Sequence, residues 1–520
     1  MQTTQSVPAK MPESAARRRR PIPRLSGGLP LVGHLVPFVR TAVQLLEAAR
    51  AECGDVAAFD VGPKKMVLLT GPAASEAFFR ASDDVLNPSE AYKMMVPVFG
   101  KDVVYDAPPA KMAEQFGMLL PCLQDRRMRS YGEVIAAEVE RSLASWGDEG
   151  VLDMYEYTKV LTNFTSSTCL IGKDFREDMT DEFARVYSDL ERGITPLAYL
   201  NAHLPIPSFR KRDKARIRLV EMITQMIKQR RQQNRESDDF LAVLMETKYK
   251  SGASLSEHEI TGMLLAAMFA GHHTSAVTAA WMMLELTRKP GLYGRVRDEV
   301  FNVYGPDGKV TYPSLREVPV TESCVKETLR LHPPLFMLLR VAMRDWEYDG
   351  YFIPKGTNLI VSPTVTHLIP EIFRDPTRFD PDRFGPGREE DKRPFAFQAF
   401  GGGSHKCLGN AFALLQIKTV FAILMRRFTF TSYGDPLEPD FHGVVLGPKQ
   451  PCRVRYQRIR PAEATRFTTE ARERVASSGS RAAGAVGPAV KAEAASAGQC
   501  PFTAAPSPEA KSDRDRGGQS

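Results

Sequence analysis

The sequence predicts a mainly α-helical fold with a small β-rich lobe, and three observations lead there. From Pro109 to about Lys250 apolar residues recur every three or four positions, as in Val134, Ile135, Val139 and Leu143, the spacing of consecutive amphipathic helices. Ser256-Glu-His-Glu259 reads as a capping box, Ser at the N-cap and Glu three residues on, and the apolar run behind it reaches about Thr287. At 1.5 Å per residue that helix is roughly 50 Å long, and one apolar on every side belongs at the centre of a large domain. The β-type runs, by contrast, are short and fall into a few places: 56–70, 340–362 and 428–457.

Taken in order, residues 1–20 are small, polar and basic, and are expected to be disordered. A single folded domain is expected to span 21–461. A Pro/Gly-punctuated entry segment (21–34) leads to a helix over Thr41–Glu52. Two short strands, Val56–Asp60 and Met66–Thr70, flank a Gly62-Pro63 turn, and Pro72 opens a helix to about Arg80. Residues 85–108 read as an irregular apolar loop that covers either a ligand or its own core. Helices follow, broken near 147–150, 172, 204–207 and 235; the basic helix 210–235 is expected to be a solvated face. Two helices after Pro290, short strands, an irregular Pro/Asp/Arg-rich meander (375–384) and a final helix over Asn410–Arg427 complete the domain. The tail, 462–520, shifts to Ala, Ser, Gly, Glu and Arg and is expected to be disordered.

Composition narrows the function classes. Hydrophobic residues at 43% and charged residues at 25% can build a large core. The seven cysteines are odd in number, scattered and without Cys-x-x-Cys, which suits a reducing compartment and argues against a disulfide framework. With no run of eighteen apolar residues and no apolar signal behind Arg17–Arg20, a cytoplasmic protein is expected. A net charge of +7 does not point to nucleic acid, but it allows a local basic patch for an acidic partner.

Chemistry concentrates in Phe400-Gly-Gly-Gly-Ser-His-Lys-Cys407-Leu-Gly409. Glycines allow φ > 0 and close approach to a flat ligand. A cysteine beside a helix N-terminus is favoured as thiolate. One thiolate with no second ligand at clip spacing does not make a zinc site, but it suffices as the axial ligand of a haem. The competing reading is an inert cysteine at a helix start. Mid-way along the long helix, Phe269-Ala-Gly-His-His-Thr274-Ser275 sets polar groups where burial is costly. They either serve a site, with Gly271 and Thr274 bending the helix, or are satisfied core residues. Glu327 and Arg330, three apart, share a helical face.

In this order, Ala-Gly-x-x-Thr274, Glu327-x-x-Arg330, the Pro381-Asp-Arg383-Phe meander and the Cys407 loop resemble the cytochrome P450 haem-thiolate monooxygenases over residues 21–457. Within that family the chain is most similar to sterol 14α-demethylases, especially soluble bacterial ones. The segments that carry this are Tyr92…Pro97-Val-Phe99-Gly-Lys-Asp-Val-Val-Tyr105-Asp106, Phe269-Ala-Gly-His-His273-Thr274, and the region from Thr165 through Leu190-Glu-Arg-Gly193.

The resemblance implies the cytochrome P450 fold, a triangular helical prism holding haem b between the central helix and the Cys-loop helix. It implies Cys407 as the iron ligand, with Phe400, Gly401 and Gly409 packed about it and Arg340, His405 and Tyr92 on the propionates. Glu327, Arg330 and Arg383 would form a buried structural network. Thr274 would hydrogen-bond dioxygen or its ordered water, and His273 would relay protons. Tyr92, Met95, Phe99, Tyr105, Phe269, Ala270, Leu335, Phe336, Met337 and Val444 would line an apolar cavity for a flat polycyclic lipid. The expected reaction is oxidative removal of a sterol 14α-methyl group. The alternatives are hydroxylation of another lipid or terpenoid and, further off, a haem-thiolate carrier or sensor. No dinucleotide fingerprint is present, so NAD(P)H would act only through a reductase and a ferredoxin or flavodoxin, docked on a monomer by Lys406, Arg426 and Arg427.

Overall fold

The computed structural model describes residues 20–172, 181–233, 239–441 and 445–483. It forms a compact unit through Ala471, with 472–520 a second unit. At its centre lies the helix Glu257–Thr287, opened by the expected capping box: Ser256 Oγ accepts from the Glu259 N–H while the Glu259 carboxylate accepts from the Ser256 N–H. Its C-terminal half, Val277 to Leu286, is wholly buried. The helix Met154–Leu170 lies against it, and small polar residues make that close approach possible. Thr158 Oγ1 donates to the Ala276 carbonyl at 2.9 Å, and Gln416 Nε2, from the Cys-loop helix Asn410–Arg427, donates to Thr165 Oγ1 at 2.5 Å. The helix Asp125–Leu143 packs on the Cys-loop helix through the Tyr131 and Phe412 rings, 5.8 Å apart.

The β lobe is one five-stranded sheet, in the order Val56–Val61, Lys64–Leu69, Asn358–Val361, Leu338–Ala342 and Leu86–Asn87. The first two strands pair antiparallel around Gly62-Pro63, as expected, and Met66 then pairs in parallel with Asn358. Antiparallel pairing of Arg340 with Leu359 fixes where the Arg340 side chain leaves the sheet. A second sheet joins Glu149–Asp153, Arg453–Arg458 and Phe428–Ser432.

Four expectations need correction. Residues 85–108 are not an irregular loop but a chain of short turns: Pro88–Ala91, Lys93–Met95, Val96–Phe99 and Val104–Asp106. Pro88 and Pro97 each start a turn that the following residues cannot extend. The basic helix, Pro207–Gln233, is not simply a solvated face: Arg212 and Arg216 are buried, and Arg216 donates to the Phe99 carbonyl at 3.0 Å. The central helix runs as unbroken α-helix through Gly271 and Thr274, because the Thr274 hydroxyl returns to the Ala270 carbonyl at 2.7 Å without displacing the ladder. The expected tail begins instead as the helix Pro461–Ala483. Phe467 faces Phe301 with ring centroids 5.5 Å apart and takes the Arg297 guanidinium on its ring at 4.1 Å, so a few apolar side chains suffice to anchor it. The expected disorder of 1–19 and 484–520 lies outside the described residues.

Candidate active site

Gly402 to His405 pack against the end of the helix Pro72–Arg80. Gly401 and Gly403 take φ of +65° and +64°, and a Cβ on Gly403 would lie 2.0 Å from the Phe79 carbonyl oxygen. The loop glycines therefore answer to the helix below as much as to a ligand. The Cys407 N–H donates to the Phe400 carbonyl at 2.9 Å, and half-buried Phe400 packs into the main core. Cys407 stands three residues before the first helical residue, Asn410, and its surface is exposed. Surrounding protein pushes its thiol pKa up, while the Gly409 N–H and the Lys406 ammonium pull it down.

The middle of the central helix has an open side of its own. In a helix otherwise buried for most of its length, Ala270 is exposed and Ala266 and Thr274 are partly so; these positions, four apart, form one open stripe. Tyr105 packs into the cluster that also holds Tyr92, Phe99 and Phe269. Burial pushes the hydroxyl pKa of both Tyr105 and Tyr92 up, and their rings lie 5.1 Å apart. Phe99 meets Phe269 at 6.1 Å, and Phe269 meets His273 at 4.9 Å. Met95 and Phe99 are buried in the same cluster, whereas Phe336 and Met337 approach Tyr92 from the β-lobe side. Leu335 is 37% exposed and joins none of these clusters. Val444 lies outside the described residues.

Arg340 is 2% exposed. Its Nη1 donates to the Ala81 carbonyl at 2.8 Å, but its Nη2 is buried without a protein partner, and burial pushes its pKa down. A buried guanidinium that keeps one donor free beside Tyr92 is what an incoming carboxylate needs. His405, expected to share that role, is placed with Nε2 2.7 Å from Asp83 Oδ1.

Beneath the loop the expected network is complete. Glu327, Arg330 and Arg383 are fully buried. Arg330 grips both Glu327 oxygens at 2.8 and 2.9 Å, and Arg383 Nε donates to both at 3.0 Å. Their remaining donors reach the carbonyls of His367, Pro376, Arg378 and Arg374, which ties the meander down. His367 extends the network, and no motif had marked it. On the distal side Glu191 was also missed: its Oε1 lies 2.7 Å from His273 Nε2 and 3.7 Å from His272 Nε2. Glu191 sits in the Leu190–Gly193 stretch whose resemblance was visible, but nothing local links it to a helix eighty residues on.

A single exposed thiol on a glycine loop, an open stripe on the central helix and a buried guanidinium with a free donor together suit a haem held by one sulfur. The family model for cytochrome P450 matches residues 23–454, and the chain belongs to that family of haem-dependent monooxygenases. Its fold is that of the family: cyanobacterial CYP120A1 with retinoic acid bound superposes with a TM-score of 0.77 at 24% identity, over 84% of this chain and 99% of that one. The chain is 41% identical to the sterol 14α-demethylases of Mycolicibacterium vanbaalenii and Mycobacterium tuberculosis, over 84% of its length and 98% of theirs. It is 38% identical to the sterol 14-demethylase of Arabidopsis thaliana, over 86% of this chain and 93% of the relative. Among the described residues, no helix is long and apolar enough to cross a membrane.

Proposed function

We propose that the chain removes the 14α-methyl group of a sterol. Three successive oxygen insertions, each using dioxygen and two electrons, take the methyl through alcohol and aldehyde to formate. The supporting observation is the 41% identity to bacterial sterol 14α-demethylases over nearly their whole length, joined to the aromatic cluster of Tyr92, Phe99, Tyr105 and Phe269 beside the central helix. Haem b would be held by Cys407, with Arg340 Nη2 and the Tyr92 hydroxyl on its propionates and Phe400, Gly401 and Gly409 against the sulfur side. When bound, it supplies the reduction of dioxygen, and the thiolate favours O–O cleavage.

The chain's own residues do the rest. Tyr92, Tyr105, Phe99 and Phe269 exclude water and orient a flat apolar substrate. Thr274 has given its proton to the Ala270 carbonyl, so its oxygen offers lone pairs to a water on the open stripe. His273, beside it in sequence and 2.7 Å from Glu191, moves protons between that water and the outside of the helix.

Electrons come from a ferredoxin or flavodoxin served by an NAD(P)H-dependent reductase. Exposed Lys406 remains a candidate contact, as do Arg126 and Arg129 on the helix that packs against the Cys-loop helix. Arg426 drops out: it is buried and donates to the Gly308 carbonyl at 2.6 Å. Arg427 is partly engaged by Glu140 at 3.0 Å.

The test is turnover with a surrogate ferredoxin–reductase pair. A 14α-methyl sterol should move the haem from low to high spin and release formate with the demethylated product. Oxidation of a fatty acid or terpenoid, with neither spin shift nor formate from any sterol offered, would replace this reading. A haem-thiolate spectrum without any turnover would leave a carrier or sensor.

A further inference from the structure

Where the helix Asp181–Glu191 ends beside the central helix, Glu191, His272 and His273 bring one carboxylate oxygen and two imidazole nitrogens within 4.8 Å of one another. We propose that these three residues form a divalent-cation site for a borderline metal such as Zn2+. The individual spacings, 2.7 Å and 3.7 Å from Glu191 Oε1 to the two Nε2 atoms, bracket the roughly 3.3 Å that separates ligands bound tetrahedrally at about 2.0–2.1 Å. Two nitrogens and a carboxylate, with a fourth position left to water, form a donor set that zinc accepts.

Three further observations carry the assignment. Glu191 Oε1 and His273 Nε2 are buried against each other at 2.7 Å, and the neighbouring Asn163 Oδ1 is buried without a hydrogen-bond partner, a further oxygen that a cation there would satisfy. His272 is already oriented from behind. The Thr162 hydroxyl lies 3.1 Å from its Nδ1, which leaves Nε2 to face Glu191. Finally there is a way in: a cavity of about 150 Å³ lined by Glu156, Lys159, Asn163, Tyr187, Glu191 and His272, with exposed Glu156 among its walls. Lys159 is the positive group that an entering metal must displace.

A metal there takes Glu191 and His273 out of proton handling, so Zn2+ inhibits turnover reversibly. The inhibition, though not the binding, rests on the reading given above. The experiment is equilibrium dialysis of untagged holoenzyme against Zn2+, with bound metal counted by elemental analysis. One tight Zn2+ is expected, weakened more than ~10-fold by Glu191→Gln and by His272→Ala, since even outer partners of a metal site are worth ~10–100-fold. No tight Zn2+, or affinity unchanged in both variants, overturns the site. Should either variant fail to fold, anomalous diffraction at the zinc edge from wild-type crystals decides. A peak among these three residues supports the site, and a peak elsewhere or none overturns it. Zinc bound here to a protein that oxidises no sterol would sink the demethylase reading and leave the site standing.

Discussion

The Gln398 N–H donates to His367 Nε2 at 2.8 Å, while His367 Nδ1 lies 3.0 Å from the Arg330 carbonyl. Because Nε2 accepts, Nδ1 must carry the only ring proton, and the imidazole is held neutral between the Glu327 network and the residues leading into the Cys loop. Burial is the main reason its pKa falls to about 3.

Stability should therefore fall on mild acidification. Between about pH 3 and 6.5 the unfolded chain protonates this histidine and the native chain does not, so the unfolded state holds more protons. Each pH unit lost in that window costs up to ~1.4 kcal/mol from this group. His272, also lowered, acts in the same direction. Denaturant midpoints measured from pH 6.5 to 5, above the range of ordinary carboxylates, check this. A flat profile would show that one or both rings are charged in the native state.

Replacing Glu327 with Gln leaves fully buried Arg330 without a carboxylate and Arg383 with Glu390 alone. Breaking such a network costs ~3–5 kcal/mol. The expected outcome is protein that is mostly insoluble or purifies without haem, read from the absorbance ratio of pigment to protein. Normal pigment content in the variant would mean that backbone carbonyls and the Glu390 carboxylate suffice for Arg330 and Arg383.

Arg340→Leu removes a charge that burial disfavours and keeps most of the bulk. The fold should survive, because the lost donor has only the Ala81 carbonyl as partner. Haem transfer to an apoprotein scavenger should speed up by ~10-fold or more, the worth of one charge-assisted hydrogen bond at ~1.5–3 kcal/mol. An unchanged transfer rate would place the propionates elsewhere.

Phe467→Ala should cost about 3 kcal/mol, the lower end for a buried aromatic, because its cluster is a small satellite of the main core. Urea unfolding compared with a chain ended at Arg460 provides the check. If the variant matches wild type, the helix Pro461–Ala483 contributes nothing to the domain.

Much of this was legible in the sequence because it is local. The capping box, the hairpin around Gly62-Pro63, proline-started helices and the Glu327–Arg330 spacing each rest on neighbours a few residues apart. What escaped lies across long separations. Glu191 reaches His273, Gln398 reaches His367, and Asp83 reaches His405, pairings that only the folded chain creates. The basic helix misled because charge density reports the average face of a helix, whereas Arg212 and Arg216 are buried by contacts to the Ala202 and Phe99 carbonyls. The final helix was missed because alanine-rich composition suits a disordered chain and a surface helix alike, and a single phenylalanine tips the balance.

The 2.0 Å gap between the Phe79 carbonyl oxygen and the place where residue 403 would carry a Cβ bears on any attempt to retune the enzyme's redox behaviour. Varying the sulfur's surroundings at 403 would first push the whole thiol-bearing loop off its supporting helix. Ser404, one step along and exposed, is where such engineering has room to begin.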